Sequence, residues 1–386
     1  MPNNSISPDF ASEVQTTLRG TLPAGDNSSI DSGGVAFASF QKLLNEGVNG
    51  GQLLTNPVVS TYSLVYTTNS GGNGAYRGGV LAANGDVHFI PNFAPVGQKI
   101  SAAGVVSTYS LIYTVLGAYI GGVLAPNGDI HFVPRSAARG QKISSAGVVS
   151  TYSLVYTTGN GAYNGGVLAP NGDIHFIPLA APVGQKISSA GVVSTYSLVY
   201  TNAGGGYVGG VLAPNGDIHF VPLQANRGQK ISSAGVVSTY SLVYTLAAGA
   251  YAGGVLAPNG DIHFITYQAP QGQKVSITGV VSTYSVLVPG SGSSGYGGGV
   301  LAPNGDVHFI GGSANAGQKI SSTGIVSTYA MAYTSGSVGI GDSGVLTPGG
   351  DVYLAPYASP VGTKITLNCG VNFSKGVCMH PFFNKY

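Results

Sequence analysis

Along most of the chain, polar and apolar residues alternate with a period of two. In VSTYSLVYT, residues 149–157, Tyr152, Leu154 and Tyr156 fall on one side and Thr151, Ser153 and Val155 on the other, as in a strand with two unlike faces. GGVLAP (165–170) and DIHFIP (173–178) read as two more strands, joined through Asn171-Gly172. That dipeptide predicts a two-residue hairpin turn of type I′, which needs positive φ at both central residues. GQKISS (184–189) reads as a fourth strand before the small Ala190-Gly191 turn.

These four elements return seven times. The segment VVSTYSLVYT begins, more or less altered, at Val58, Val105, Val148, Val192, Val236, Val280 and Ile325, in steps of 47, 43, 44, 44, 44 and 45 residues. Each copy is followed by a variable Gly-rich link, a relative of GGVLAPNGDIHFIP, and a relative of GQKISSAG. Four strands in about 44 residues predict one blade, and seven blades predict an all-β, seven-bladed β-propeller. A linear β-solenoid is the competing arrangement. Incomplete repeats at both termini favour a closed ring, because one end can supply strands to a blade begun at the other. Three regions follow: a non-repeating arm (1–57), the seven repeats (58–369) and a tail or blade-closing segment (370–386).

Composition supports strands. Of 386 residues 62 are Gly, and only 7% are charged, against about 25% in ordinary domains. No Glu, a strong helix former, occurs between residues 58 and 369. A net charge of +2 gives no reason to expect nucleic acid as a partner. No apolar run approaches the roughly 18 residues that span a bilayer, so no membrane insertion is expected. The start, MPNNSISPDFASEVQTTLRG, lacks the basic and apolar regions of a secretory signal. Synthesis in a host cytoplasm and a Gly/Ser/Thr/Asn/Tyr surface suited to life outside cells together lead to the expectation of a virus particle, or virion.

The segment GGVLAPNGDIHFIP with its following strand resembles a propeller repeat of the form GGVLAPNGKIYGIP. That repeat occurs in tandem in large-repeat proteins, including structural proteins of phages and algal viruses. The resemblance spans residues 58–369. It implies a propeller-like fold and brings no catalytic motif to these positions.

The repeats carry a row of Asp–His pairs: Asp86/His88, Asp129/His131, Asp173/His175, Asp217/His219, Asp261/His263 and Asp306/His308, with Asp351 facing Tyr353 in the seventh unit. Two residues apart on a strand, both side chains point the same way, which permits a metal, an acid–base pair or a ligand contact. A structural ring is the favoured reading. Asp after Asn-Gly satisfies turn amides, His can pack between blades, and Tyr353 would replace a metal ligand poorly. Neither metal nor cofactor is expected. One Lys per unit (Lys99, Lys142, Lys186, Lys230, Lys274, Lys319 and Lys364) predicts a repeated ion pair or a charged ring at one end of the channel.

Three Tyr ladders run through the repeats. Two, including Tyr152 and Tyr156, lie within the strand pattern and are expected in the core. The third comprises Tyr76, Tyr119, Tyr163, Tyr207, Tyr251 and Tyr296. It lies in the variable links, where exposure is expected, and supplies candidate ligand contacts, since sugar faces stack on aromatic rings. The links vary while their flanks do not, as when one face meets a partner; tolerance of any sequence there is the alternative.

The ends do not repeat. GVAFASFQKLLNEG (34–47) places Phe37, Phe40, Leu43 and Leu44 at helical spacing, a candidate for docking the arm onto other virion proteins or back onto the ring. Cys369 and Cys378 are the only cysteines; either free thiols or a disulfide formed outside the cell fits them. No G-x-S-x-G, H-E-x-x-H or Walker loop is present, and the blades look too alike to hold one distinct active site. The sequence therefore leads to the expectation of a non-enzymatic structural or adhesion component of a virus particle, a phage tail or capsid appendage that contacts a host-surface glycan or protein receptor. A glycan-binding lectin with sites between blades is the alternative.

Overall fold

Period-two patterning becomes strand at every repeat. The computed structural model describes residues 57–67, 74–159, 161–288, 295–312, 314, 316–330 and 343–367. Its strands form seven four-stranded antiparallel sheets, and no helix occurs among the described residues. Innermost strands of consecutive sheets touch in order, and the last, Gly344–Leu346, touches the first, Tyr76–Leu81. The ring is closed, and the chain is a seven-bladed β-propeller. The candidate helix at 34–47, Cys369 and Cys378 lie outside the described residues.

A blade is offset by one strand from the repeat read in the sequence. The third blade runs Tyr163–Leu168, Ile174–Pro178, Val183–Ile187 and Val193–Ser197 from the axis outward. The VSTYS segment is thus the outermost strand of the blade before its link. This offset closes the ring, because Val58–Ser63 has no blade ahead of it. It pairs instead with Val361–Thr366 of the seventh blade, from Val58↔Thr366 to Ser63↔Val361.

The Asn-Gly turn differs from the type I′ prediction. Pro170, Asn171 and Gly172 form a three-residue loop: Gly172 N–H donates to Ala169 C=O (2.9 Å) and Ala169 N–H to Asp173 C=O (2.8 Å). Gly172 takes φ +85°. A turn followed by a left-handed bulge residue has this form, and the first blade closes the same loop with Ala83 in place of the Pro, Gly85 N–H donating to Ala82 C=O (3.0 Å) and Ala82 N–H to Asp86 C=O (2.8 Å).

The core lies between blades. Val123 and Val133 of the second blade pack against Tyr163, Ile174, Phe176 and Ile187 of the third, and equivalent clusters recur around the ring. A buried side chain of this size contributes about 1.5–3 kcal/mol. Six interfaces also have a polar clasp built on a Gln of the third strand, which Thr363 replaces in the seventh blade. Gln185 is fully buried, and its Oε1 accepts from Val155 N–H (2.9 Å) and Tyr156 N–H (2.8 Å) on the link leaving the previous blade.

Antiparallel order gives the propeller two unlike faces. Asn-Gly loops and Ser-Ser-Ala-Gly turns occupy one, nearly unchanged from blade to blade. The variable links and the loops between second and third strands occupy the other.

Candidate functional site

Most repeated polar residues are engaged inside the blades. Each Lys Nζ lies 2.6–2.9 Å from the Oδ2 of the same blade's Asp. These pairs sit on second and third strands at the constant face, not around the channel. Burial alone would raise the Asp173 pKa; the Lys186 hydrogen bond, the Ser189 amide and the Lys186 charge together outweigh it and lower the pKa. His175 faces the outermost strand of its own blade. Its Nδ1 lies 3.4 Å from the Tyr196 hydroxyl, with ring centroids 5.5 Å apart. Burial, and secondarily Lys186, press the His175 pKa down to about 4, and the other five histidines behave alike. Gly184 makes this pairing possible: the Tyr196 ring covers it, and a Cβ there would fall within the ring. Among the described residues no cluster of three or more His, Cys, Asp or Glu is placed to hold a metal.

The third Tyr ladder corrects an expectation. Tyr76, Tyr119, Tyr163, Tyr207, Tyr251 and Tyr296 are not exposed ligand contacts; they are 0–2% exposed. Each ring packs beside a core Phe. Their hydroxyls donate to the carbonyls of Val96, Arg139, Val183, Arg227, Gln271 and Ala316 at 2.8–3.4 Å. These contacts tie the inner edge of the first six blades to their third strands.

The residues that do vary meet at the axis. The position after each ladder Tyr carries Arg77, Ile120, Asn164, Val208, Ala252 and Gly297, and the repeat position at the end of the second strand carries Arg135, Leu179, Leu223, Tyr267, Gly312 and Tyr357 in the second to seventh blades; its counterpart in the first blade, Asn92, is buried and donates to Tyr119 C=O (2.8 Å) instead. All twelve line one cavity of about 560 Å³ at the channel mouth on the variable face. Glycines form its floor. A Cβ on Gly78 (φ +83°) would come 2.7 Å from Gly121 Cα, and one on Gly165 (φ +78°) 2.8 Å from Gly209 Cα, so side chains are excluded where the innermost strands converge. Arg77 stacks over Tyr357, its Cζ 5.0 Å from the ring centroid. The lining thus combines two guanidinium groups, two phenols, an amide, the Ser343 hydroxyl and apolar side chains; such a set can cover an apolar or sugar-like ring. The individual positions were missed because each is one variable residue between constant neighbours, about 44 residues from the next. Stacking the repeats and reading their variable columns would have found them.

No protein-family model matches the chain, and no curated protein sequence is similar enough to count as a relative. Solved structures of the same fold do match. A catalytically inactive variant of virginiamycin B lyase from Staphylococcus aureus, solved with quinupristin, superposes with TM-score 0.68 at 18% identity, covering 81% of this chain and 100% of the lyase. A streptogramin B lyase gives 0.69 at 19%, covering 82% of this chain and 100% of its own. The extracellular domain of a hybrid two-component system from B. thetaiotaomicron gives 0.60 at 9%, covering 80% of this chain and 42% of its own. These likenesses are of fold, and they correct the expectation that the chain is not an enzyme. Seven-bladed rings of this architecture include lyases, and the blades do converge on one asymmetric place, so neither ground for excluding catalysis stands.

Proposed function

We propose that the chain is a recognition scaffold, a rigid ring that takes one ligand at the channel mouth on its variable face. The observation carrying this reading is the convergence of twelve non-repeating positions on a single cavity, while the repeated Asp, Lys, His and Gln side chains hold the blades together. A volume of about 560 Å³ suits a small molecule or the end of a larger one. Recognition by a virus particle of a host-surface glycan or protein is the wider form of the proposal; the low-charge Gly/Ser/Thr/Asn/Tyr chemistry of the chain supports it. Sugar sites between blades lose their support, because the Tyr ladder invoked for them is buried.

The test is a thermal-shift screen of sugars, sugar acids, amino acids and nucleosides, with each hit followed by calorimetry for stoichiometry and mass spectrometry for conversion. One ligand per chain, lost in Ala252→Trp, which fills the mouth, is the expected result. Several equivalent sites per chain, or binding indifferent to Ala252→Trp, would contradict the reading.

A further inference from the structure

Three adjacent blades give the mouth an apolar side. The repeat position that holds Arg135 in the second blade holds Leu179, Leu223 and Tyr267 in the third, fourth and fifth. All three side chains line the cavity and are half-buried. Val208 and Ala252, on the innermost strands of the fourth and fifth blades, line it beside them. Leu223 and Tyr267 meet over Gly249 (φ +112°), where a Cβ would lie 3.0 Å from Leu223 Cδ1 and 3.4 Å from Tyr267 Cδ1. The links entering the fourth and fifth blades, 198–206 and 242–250, belong to the described residues throughout and carry no charged side chain.

The backbone under this side is fixed before a ligand arrives. Leu179 N–H donates to Ala162 C=O (2.9 Å), and Leu179 C=O accepts from Gly206 N–H (2.6 Å). Leu223 N–H donates to Gly206 C=O (3.0 Å), and Leu223 C=O accepts from Ala250 N–H (2.7 Å). Tyr267 N–H donates to Ala250 C=O (2.9 Å). The bonds run unbroken from the third blade to the fifth, so no loop has to be ordered on binding. Below, Gly165, Gly209 and Gly253 present only backbone to the cavity. A flat ring can lie against bare peptide groups and reach the Tyr267 ring, and aromatic pairs gain more than their area burial alone. The geometry points to a ligand bearing a planar aromatic ring, seated over the glycine floor against Leu179, Leu223 and Tyr267. This rests on the mouth being the ligand site.

Calorimetry of the full chain with phenyl β-D-glucoside and 2-naphthol, against cyclohexyl β-D-glucoside, methyl β-D-glucoside and decahydro-2-naphthol, tests it. At least one aromatic compound is expected to bind one per chain, about fivefold or more tightly than its saturated counterpart. Leu223→Ser should weaken that binding about tenfold, with thermal melts showing that the variant folds. Tyr267→Leu keeps apolar bulk and should abolish most of the preference for the aromatic ring over the saturated one. Val199→Ser, on the outer rim, should change neither. Failure of both aromatic compounds to bind, equal binding of aromatic and saturated rings, or binding insensitive to both Leu223→Ser and Tyr267→Leu would overturn the inference. Saturated rings or sugars binding once per chain and blocked by Ala252→Trp would leave the mouth as the site and remove only the aromatic ligand; loss of the site itself would show as binding that Ala252→Trp does not touch.

Discussion

At the scale of single residues, the ring depends on charge and imidazole groups kept from water. The Asp173 side chain is 9% exposed and 2.7 Å from Lys186, so Lys186→Met leaves a buried carboxylate without its cation. A loss of about 3 kcal/mol in urea unfolding is expected, with part of it recovered in Asp173→Asn/Lys186→Met. The histidines set the response to pH. Each has a folded pKa of about 4 against 6.5 free. The unfolded chain therefore takes up protons below pH 6.5 that the folded ring refuses until about pH 4. Stability is complete above 6.5 and falls as pH drops through that window. Urea midpoints measured from pH 7.5 to 4 should fall steeply, and a flat profile would contradict the burial of these rings. The Asp–His spacing was legible as a same-face pair. The Tyr partner was not, because it lies across the blade, 21 residues later, over a glycine whose purpose appears only with the sheet assembled.

At the scale of elements, alternation and repeat length were enough to place the strands and count the blades. They could not give the strand order within a blade, since a repeat has no natural start. The turn was misread because Asn-Gly alone does not set loop length: the strands close at Ala169 and Asp173, so three residues span the turn, with or without a Pro among them. Gln185 is the element-scale residue the pattern concealed. On a strand reading as polar it is fully buried, and it serves the neighbouring blade rather than its own. Gln185→Leu keeps the bulk and removes the acceptor of two backbone N–H groups. A loss of about 2–6 kcal/mol is expected at about one to three per orphaned group, read from the urea midpoint; a change below about 0.5 kcal/mol would show that the clasp contributes nothing.

At the scale of the whole molecule, the ring is held shut by one strand from the N-terminal side of the repeats, Val58–Ser63 on Val361–Thr366. Deleting residues 58–63 from the full chain should make amides of Val361–Thr366 exchange at least about 100-fold faster, while those of Val183–Ile187, far from the seam, stay protected. Uniform loss across both would mean that the ring melts as one unit. Closure was anticipated from the ragged termini, but the contributing end was not, because both carry partial repeats. The mouth emerges only at this scale, since its residues are scattered along the chain and meet only when the ring closes. The most direct test of the account is a crystal structure of the protein soaked with a mixed set of small sugars, sugar acids and aromatic acids. Density for one bound molecule at the channel mouth, in contact with Arg77, Arg135, Tyr267 or Tyr357, is the predicted result; molecules repeated blade by blade at the rim, with an empty mouth, would contradict it.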